Sequence, residues 1–117
     1  LAPKVSAISI EMFNDLISAG FSVAAVASLD EDRDSIVGFI APKAILEAVK
    51  AVATASGSTS LDAIFVACTS LKCAPIIAEA ETELGIPVLS SNSALAWDMA
   101  RLSGLAVGSA GKGALYS

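Results

Sequence analysis

Three short polar stretches hold most of the side chains able to do chemistry in this sequence: Cys68-Thr69-Ser70, Ser90-Ser91-Asn92 and Ala2-Pro3-Lys4. Each leads into a segment of helical periodicity, so its backbone N–H groups open a helix unpaired and carry the positive end of the helix dipole. Such termini receive carboxylates and phosphates. A thiol placed there has its thiolate stabilised, which makes Cys68 the candidate reactive group, although a cysteine ending a buried strand can also serve packing alone. Cys73, five residues on, falls within the expected helix and reads as a small buried hydrophobe. The pair is not spaced as C-x-x-C, which argues against a redox couple. Ser90, Ser91 and Asn92 are all good capping residues, so capping explains at least one of them without a ligand, and Asn92 is the expected cap.

The absences narrow the chemistry further. The sequence has no histidine, which excludes Ser-His-Asp and Cys-His catalysis and imidazole-bound zinc within it. Two cysteines are too few for a disulfide framework and lack zinc-ligand partners. The acidic run at 30–34 reads as a solvated loop, and Gly108, Gly111 and Gly113 lack the strand-turn-helix setting of a nucleotide fingerprint. Seven Lys+Arg stand against twelve Asp+Glu, and a net charge of −5 without a basic cluster argues against nucleic acid or an anionic membrane as partner. No metal and no cofactor are expected.

The elements that must position these residues come from an apolar composition. Of 117 residues 55% are hydrophobic, enough for one domain with its own core and too short for two. The mean hydropathy of +0.73 fits strands buried on both faces; no segment reaches the ~20 apolar residues of a spanning helix. The start LAPKVSAISIEMF lacks the layout of a signal peptide, so a reducing, cytoplasmic setting is expected.

Helical spacing of Val5, Ile8, Met12, Phe13, Leu16 and Ile17 predicts a helix over 4–19, stopped by Gly20. A Val-rich run predicts a buried strand at about 21–28, then a polar loop over 29–41. Pro42 suits the first turn of a helix whose apolar face is Ile45, Ala48, Val49, Val52 and Ala53, ending in Ser-Gly-Ser-Thr-Ser at 56–60. A second strand is expected at 61–67, a helix over 72–84 ended by Gly85, a third strand over 86–91, and a helix over 93–103. Leu95, Met99 and Leu102 share one side of that last helix, and Trp97 and Met99 read as core. The alternation implies an α/β chain, a flavodoxin-like three-layer lobe with a parallel sheet. Such a lobe opens on a strand, and here only Leu1-Ala2-Pro3 precedes the first helix. A missing central strand would leave backbone groups unpaired in the core, so the natural polypeptide is expected to be longer.

The residues also carry a family resemblance. Asp62-Ala63-Ile64-Phe65-Val66-Ala67-Cys68-Thr69-Ser70-Leu71, then Glu83-Leu84-Gly85-Ile86-Pro87-Val88, then Ser90-Ser91-Asn92-Ser93-Ala94-Leu95-Ala96-Trp97 resemble the second half of the Asp/Glu racemase superfamily. The likeness is to the branch holding maleate cis-trans isomerase, arylmalonate decarboxylase and racemase-like proteins of ectoine utilisation. Ala2-Pro3 resembles a Thr-Pro or Ala-Pro turn of the family, and 34–45 resembles the loop into its Pro-x-Ala-Ile helix. The likeness runs to about Leu105.

The resemblance implies an enzyme of two such lobes with the active site between them, each lobe offering a cysteine to one face of the substrate carbon. Residues 1–117 are then a single lobe, the second one, with the tail 105–117 expected to pack on the absent lobe. Cys68 matches the second-lobe cysteine and is the catalytic candidate. Thr69 and Ser70 match the carboxylate-binding turn, and Pro3, Lys4 and Asn92 complete the candidate substrate-binding set. The implied function is a cofactor-independent racemase or isomerase of a small dicarboxylate or amino acid. Alternatives are a malonate-type decarboxylase of the same fold and a non-catalytic carboxylate-binding module. Expected partners are a small carboxylate substrate and either the first lobe or another copy in an oligomer; the lobe alone is expected to be inactive.

Overall fold

The computed structural model describes residues 7–28, 34–58, 60–109 and 113–117. In chain order the elements are α1 (Ala7–Ser18), the single turn α2 (Asp34–Val37), α3 (Pro42–Ala55), β1 (Ile64–Val66), α4 (Ala74–Leu84), β2 (Val88–Ser90) and α5 (Ser91–Leu102). Short 3₁₀ turns follow at Val107–Ser109 and Ala114–Tyr116.

Local chemistry accounts for the helix ends. Pro42 and Pro75 sit in the first turns of α3 and α4, where a missing N–H costs no hydrogen bond. Past α1, Gly20 takes φ 94°, its N–H reaching Ile17 O while the Phe21 N–H reaches Leu16 O, both at 3.0 Å. That paired return is the Schellman closure, which satisfies carbonyls the last turn leaves open. Gly85 also ends α4 in the left-handed region, at φ 70°, but with the single bond of its N–H to Glu81 O at 2.8 Å.

Strands β1 and β2 pair in parallel, with Ile64 opposite Val88, Phe65 opposite Leu89 and Val66 opposite Ser90. The connection between them is α4, as a parallel pair requires. Side chains alternate across the sheet, so Ile64 and Val88 share a face. On that face they join Ile45, Leu46 and Val49 of α3 and Ile76, Ile77 and Ala80 of α4 in one buried cluster. Burial of each such aliphatic side chain is worth about 1.5–3 kcal/mol, so this cluster is the main source of stability. Outside it, Lys50 of α3 bridges Glu83 of α4 at 2.9 Å. The hydrogen bond to Glu83, with Glu47 nearby, pushes the Lys50 ammonium above the ordinary lysine value.

Several expectations are corrected. Residues 21–28 form no strand. An extended apolar run becomes a strand only when a neighbour takes its backbone hydrogen bonds, and among the described residues none lies beside it in a ladder. The other two strands are shorter than expected for the same reason: pairing covers only three residues of each. Leu46, absent from the expected face of α3, is buried because that face turns toward α4 as well as the sheet. Met99, expected in the core, is 59% exposed, and Leu95 and Leu102 on the same side of α5 are exposed with it. The side of α5 that packs inward carries the small Ala100 instead, and Trp97 is half-buried with the Arg101 guanidinium 5.6 Å above its ring. The acidic run lies almost wholly outside the described residues.

The tail docks its last turn on this lobe. Tyr116 is buried, and its hydroxyl donates to Ser93 O at 2.6 Å. Glu81 of α4 accepts the Val88 N–H through one carboxylate oxygen and the Ala114 N–H through the other, each at 2.9 Å. An edge N–H of β2 thus finds its acceptor in a side chain rather than in a third strand.

Ile45 is 1% exposed and Phe39 is 87% exposed. In the intact protein, Ile45→Ala is expected to lower stability by about 2–5 kcal/mol, while Phe39→Ala stays within about 0.5 kcal/mol, both read by chemical denaturation.

Candidate active site

The parallel pair brings two loops side by side at the carboxyl ends of β1 and β2, the place where open α/β sheets bind ligands. From β1 the chain runs through Ala67 into Cys68-Thr69-Ser70. From β2 it passes directly into α5.

The start of α5 is built first by its own chemistry. Ser90 is the N-cap, with extended backbone, and its Oγ accepts the Ser93 N–H at 3.1 Å. The Ser93 hydroxyl oxygen in turn accepts the Ser90 N–H at 2.8 Å. This reciprocal cap corrects the expectation that Asn92 would do the job. Serine at the third helical position can return the hydrogen bond, so the cap closes two residues earlier and the helix starts at Ser91. Ser90 is also the one buried polar side chain among the described residues, and the cap satisfies it.

Ser91 and Asn92 are therefore free of the cap, and both reach across to the other loop. The Cys68 N–H donates to Ser91 Oγ at 3.1 Å. Asn92 Nδ2 donates to Thr69 O at 2.8 Å. Between these two contacts the Cys68 backbone adopts φ 109°, the one positive value at a non-glycine residue among those described. That region is uncomfortable for a side chain with a Cβ and costs of order 1–3 kcal/mol, which the surrounding bonds must offset.

Of the residues singled out in the sequence, Cys68, Thr69, Ser70 and Asn92 are brought to this one junction. Pro3 and Lys4 lie outside the described residues. Cys68 is half-buried, Thr69 and Asn92 are exposed, and Ser70 is half-buried in the same turn. Among the described residues no acceptor takes the backbone N–H of Thr69 or Ser70. In the sequence Ser91 stands as a capping residue within one of the three polar stretches and is not among the candidate site residues. Nothing in its spacing showed that its hydroxyl would meet Cys68, because 23 residues separate the two.

Cys73 is buried at 3% exposure, as expected, but it stands one residue before α4 rather than within it. Burial, and then the neighbouring Cys68, push its thiol above the ordinary cysteine value and hold it neutral. A cleft of about 390 Å³ between α3 and α4, lined by Lys43, Leu46, Lys50, Pro75 and Glu79 among others, contains none of the candidate site residues. Among the described residues no three acidic or thiol side chains gather to hold a metal ion, and no helix is long and apolar enough to cross a membrane.

A family profile for arylmalonate decarboxylase matches residues 5–116. The chain belongs to the arylmalonate decarboxylase family. That family lies within the Asp/Glu racemase superfamily, which is where the motifs around Cys68 pointed. Among solved structures, the chain is similar to a glycine-to-cysteine mutant of arylmalonate decarboxylase in its sulfate-associated form. The match has a TM-score of 0.76 at 22% identity and covers 87% of this chain. At that identity the likeness establishes the fold, a single α/β lobe of the racemase type. This chain spans 43% of the length of that solved chain. No curated protein matches it.

The exposure of the two thiols sets their reactivity apart. With iodoacetamide near pH 8, Cys68 in the intact protein is expected to be modified roughly tenfold or more faster than Cys73, as read by peptide mass spectrometry. Because the Cys73 thiol is raised, the unfolded chain releases that proton first. Stability contributed by keeping it neutral is complete below the ordinary cysteine range and is lost as pH climbs through the raised value.

Proposed function

We propose that the intact protein is a cofactor-independent enzyme that generates and protonates a carbanion next to a carboxylate, with Cys68 carrying the proton. The observation that supports this most strongly is the junction itself: a half-buried thiol on a strained turn, followed by two amides that meet no acceptor among the described residues, in a member of the arylmalonate decarboxylase family. A carbon beside a carboxylate yields a carbanion only if the charge delocalised onto the carboxylate is held by donors placed in advance. The Thr69 and Ser70 amides are such donors. The thiol then supplies general acid or base chemistry at a fixed position.

Family membership favours a malonate-type decarboxylation. The bond from the α-carbon to one carboxylate breaks and CO2 leaves with the electron pair remaining on the substrate. The pair is held as the enediolate of the other carboxylate. Cys68 gives its thiol proton to the α-carbon, and the resulting thiolate recovers a proton from solvent. One thiol is sufficient for this sequence.

The second reading is the racemase or isomerase expected from the wider superfamily. A racemisation needs an acid and a base on opposite faces of the same carbon. Cys73 is too buried to be that second group, so it would come from another lobe or another copy. The short coverage of the solved relative fits a site completed in that way. The third reading is carboxylate binding without turnover. For all three, the ligand is a small carboxylate, and a cytoplasmic setting suits a free reactive thiol.

Assays of the intact protein in D2O separate them. An α-substituted malonate that releases CO2 and returns a product with one deuterium on the α-carbon marks the decarboxylase. Deuterium entering a chiral α-carbon without CO2 release marks the racemase. Protection of Cys68 from alkylation by carboxylates with neither event marks the binding module and sinks the catalytic reading. Cys68→Ser is expected to cut turnover by about 10²–10⁴ while leaving the circular dichroism spectrum unchanged.

A further inference from the structure

We infer that Ser91 and Asn92 are positioning residues for Cys68, acting as a two-point clamp that decides where the thiol points. The inference rests on the catalytic reading of Cys68 and adds to it two residues that act through the cysteine rather than through the substrate.

The grounds are geometric. The N-terminus of α5 is already closed by Ser90 and Ser93, each accepting the other's backbone N–H. A helix start needs no more from its side chains, yet the two residues between these serines are both polar and both directed at one turn. Ser91 Oγ takes the Cys68 N–H at 3.1 Å, and Asn92 Nδ2 holds Thr69 O at 2.8 Å. The first bond fixes the peptide plane entering Cys68. The second fixes the carbonyl one residue beyond it. Cys68 lies between them at φ 109°.

Ordinary peptides leave this φ for the negative region unless something holds them there. Release of either anchor therefore permits the Cys68 backbone to rotate, and its Cβ–Sγ bond swings with it. Neither anchor needs to touch substrate for this to matter, because a misplacement of about 1 Å at a reacting group can cost ~10²-fold in rate. In this role Asn92 acts through its Nδ2 bond to Thr69 O rather than through contact with substrate.

The test uses the intact protein labelled with 15N-cysteine. In Ser91→Ala the Cys68 amide loses its acceptor, and its hydrogen exchange is expected to speed up by about tenfold or more. Turnover is expected to lose ~10–100-fold in kcat with KM within about threefold, because the substrate's own contacts remain. Ser91→Thr, which keeps the hydroxyl, should restore both; Ser91→Val should restore neither. Asn92→Ala should lower kcat in the same manner, and Asn92→Asp, which cannot donate to a carbonyl, should not rescue it. Unchanged exchange and unchanged kcat in Ser91→Ala would overturn the clamp. A raised KM with normal kcat in either Ala variant would also overturn it, by making that residue a substrate ligand. If Cys68→Ser retains turnover, the catalytic reading fails by itself, and the exchange measurement still decides whether the clamp holds the cysteine backbone.

Discussion

The reciprocal hydrogen bonds of Ser90 and Ser93 join the end of the sheet to the start of a helix with no intervening loop. Ser90 is at once the last residue of β2 and the cap of α5, and it is buried. A strand and a helix that share a residue have their relative direction set by one cap. Everything placed on the first turn of α5 is therefore fixed relative to the neighbouring strand β1, and with it the turn that carries Cys68. The docked Tyr116 adds to this, since its hydroxyl donates to the carbonyl of the capping residue Ser93.

That arrangement separates two kinds of stability within one small lobe. The aliphatic cluster between α3, α4 and the sheet supplies the hydrophobic contribution, on the side away from the exposed ring of Phe65. The junction at the strand ends is polar and strained, and it depends on hydrogen bonds between residues far apart in sequence. A turn held at φ 109° by side chains from another loop is stable only while those side chains stay in register. The core sets that register through the pairing of Ile64 with Val88 and Phe65 with Leu89. Apolar burial under one face of the sheet, against which Cys68 itself packs, thus maintains a conformation that the local chain would not adopt by itself.

The four long helices were legible in the sequence to within a few residues because their signals are local, whereas the single turn α2 falls inside the expected loop 29–41. Proline at 42 and 75, glycine at 20 and 85, and aliphatic residues at helical spacing act over one or two turns. The strands were less legible. Residues 61–67 and 86–91 had the composition of strands, but the paired length depends on what lies alongside, and so did the fate of 21–28, which has the residues of a strand and no ladder among the described residues. Met99 shows the same limit. Its position on an apolar stripe was correctly read, yet whether a stripe is buried depends on which side of the helix meets the sheet, and Ala100 faces that way.

For the candidate site, the sequence by itself determined the residue types, the family and the meeting of loops at the strand ends, because parallel strands with short polar loops admit few other arrangements. It marked Cys68, Thr69, Ser70 and Asn92 without showing how any of them is held. Only the tertiary structure decided that Ser90 and not Asn92 caps α5, that Ser91 meets the Cys68 amide, and that Asn92 is committed to Thr69. The reason is physical: a serine or asparagine can cap, bind or clamp with nearly the same local preference. The choice among these is made by partners 23 residues away that come within reach only after the two strands pair.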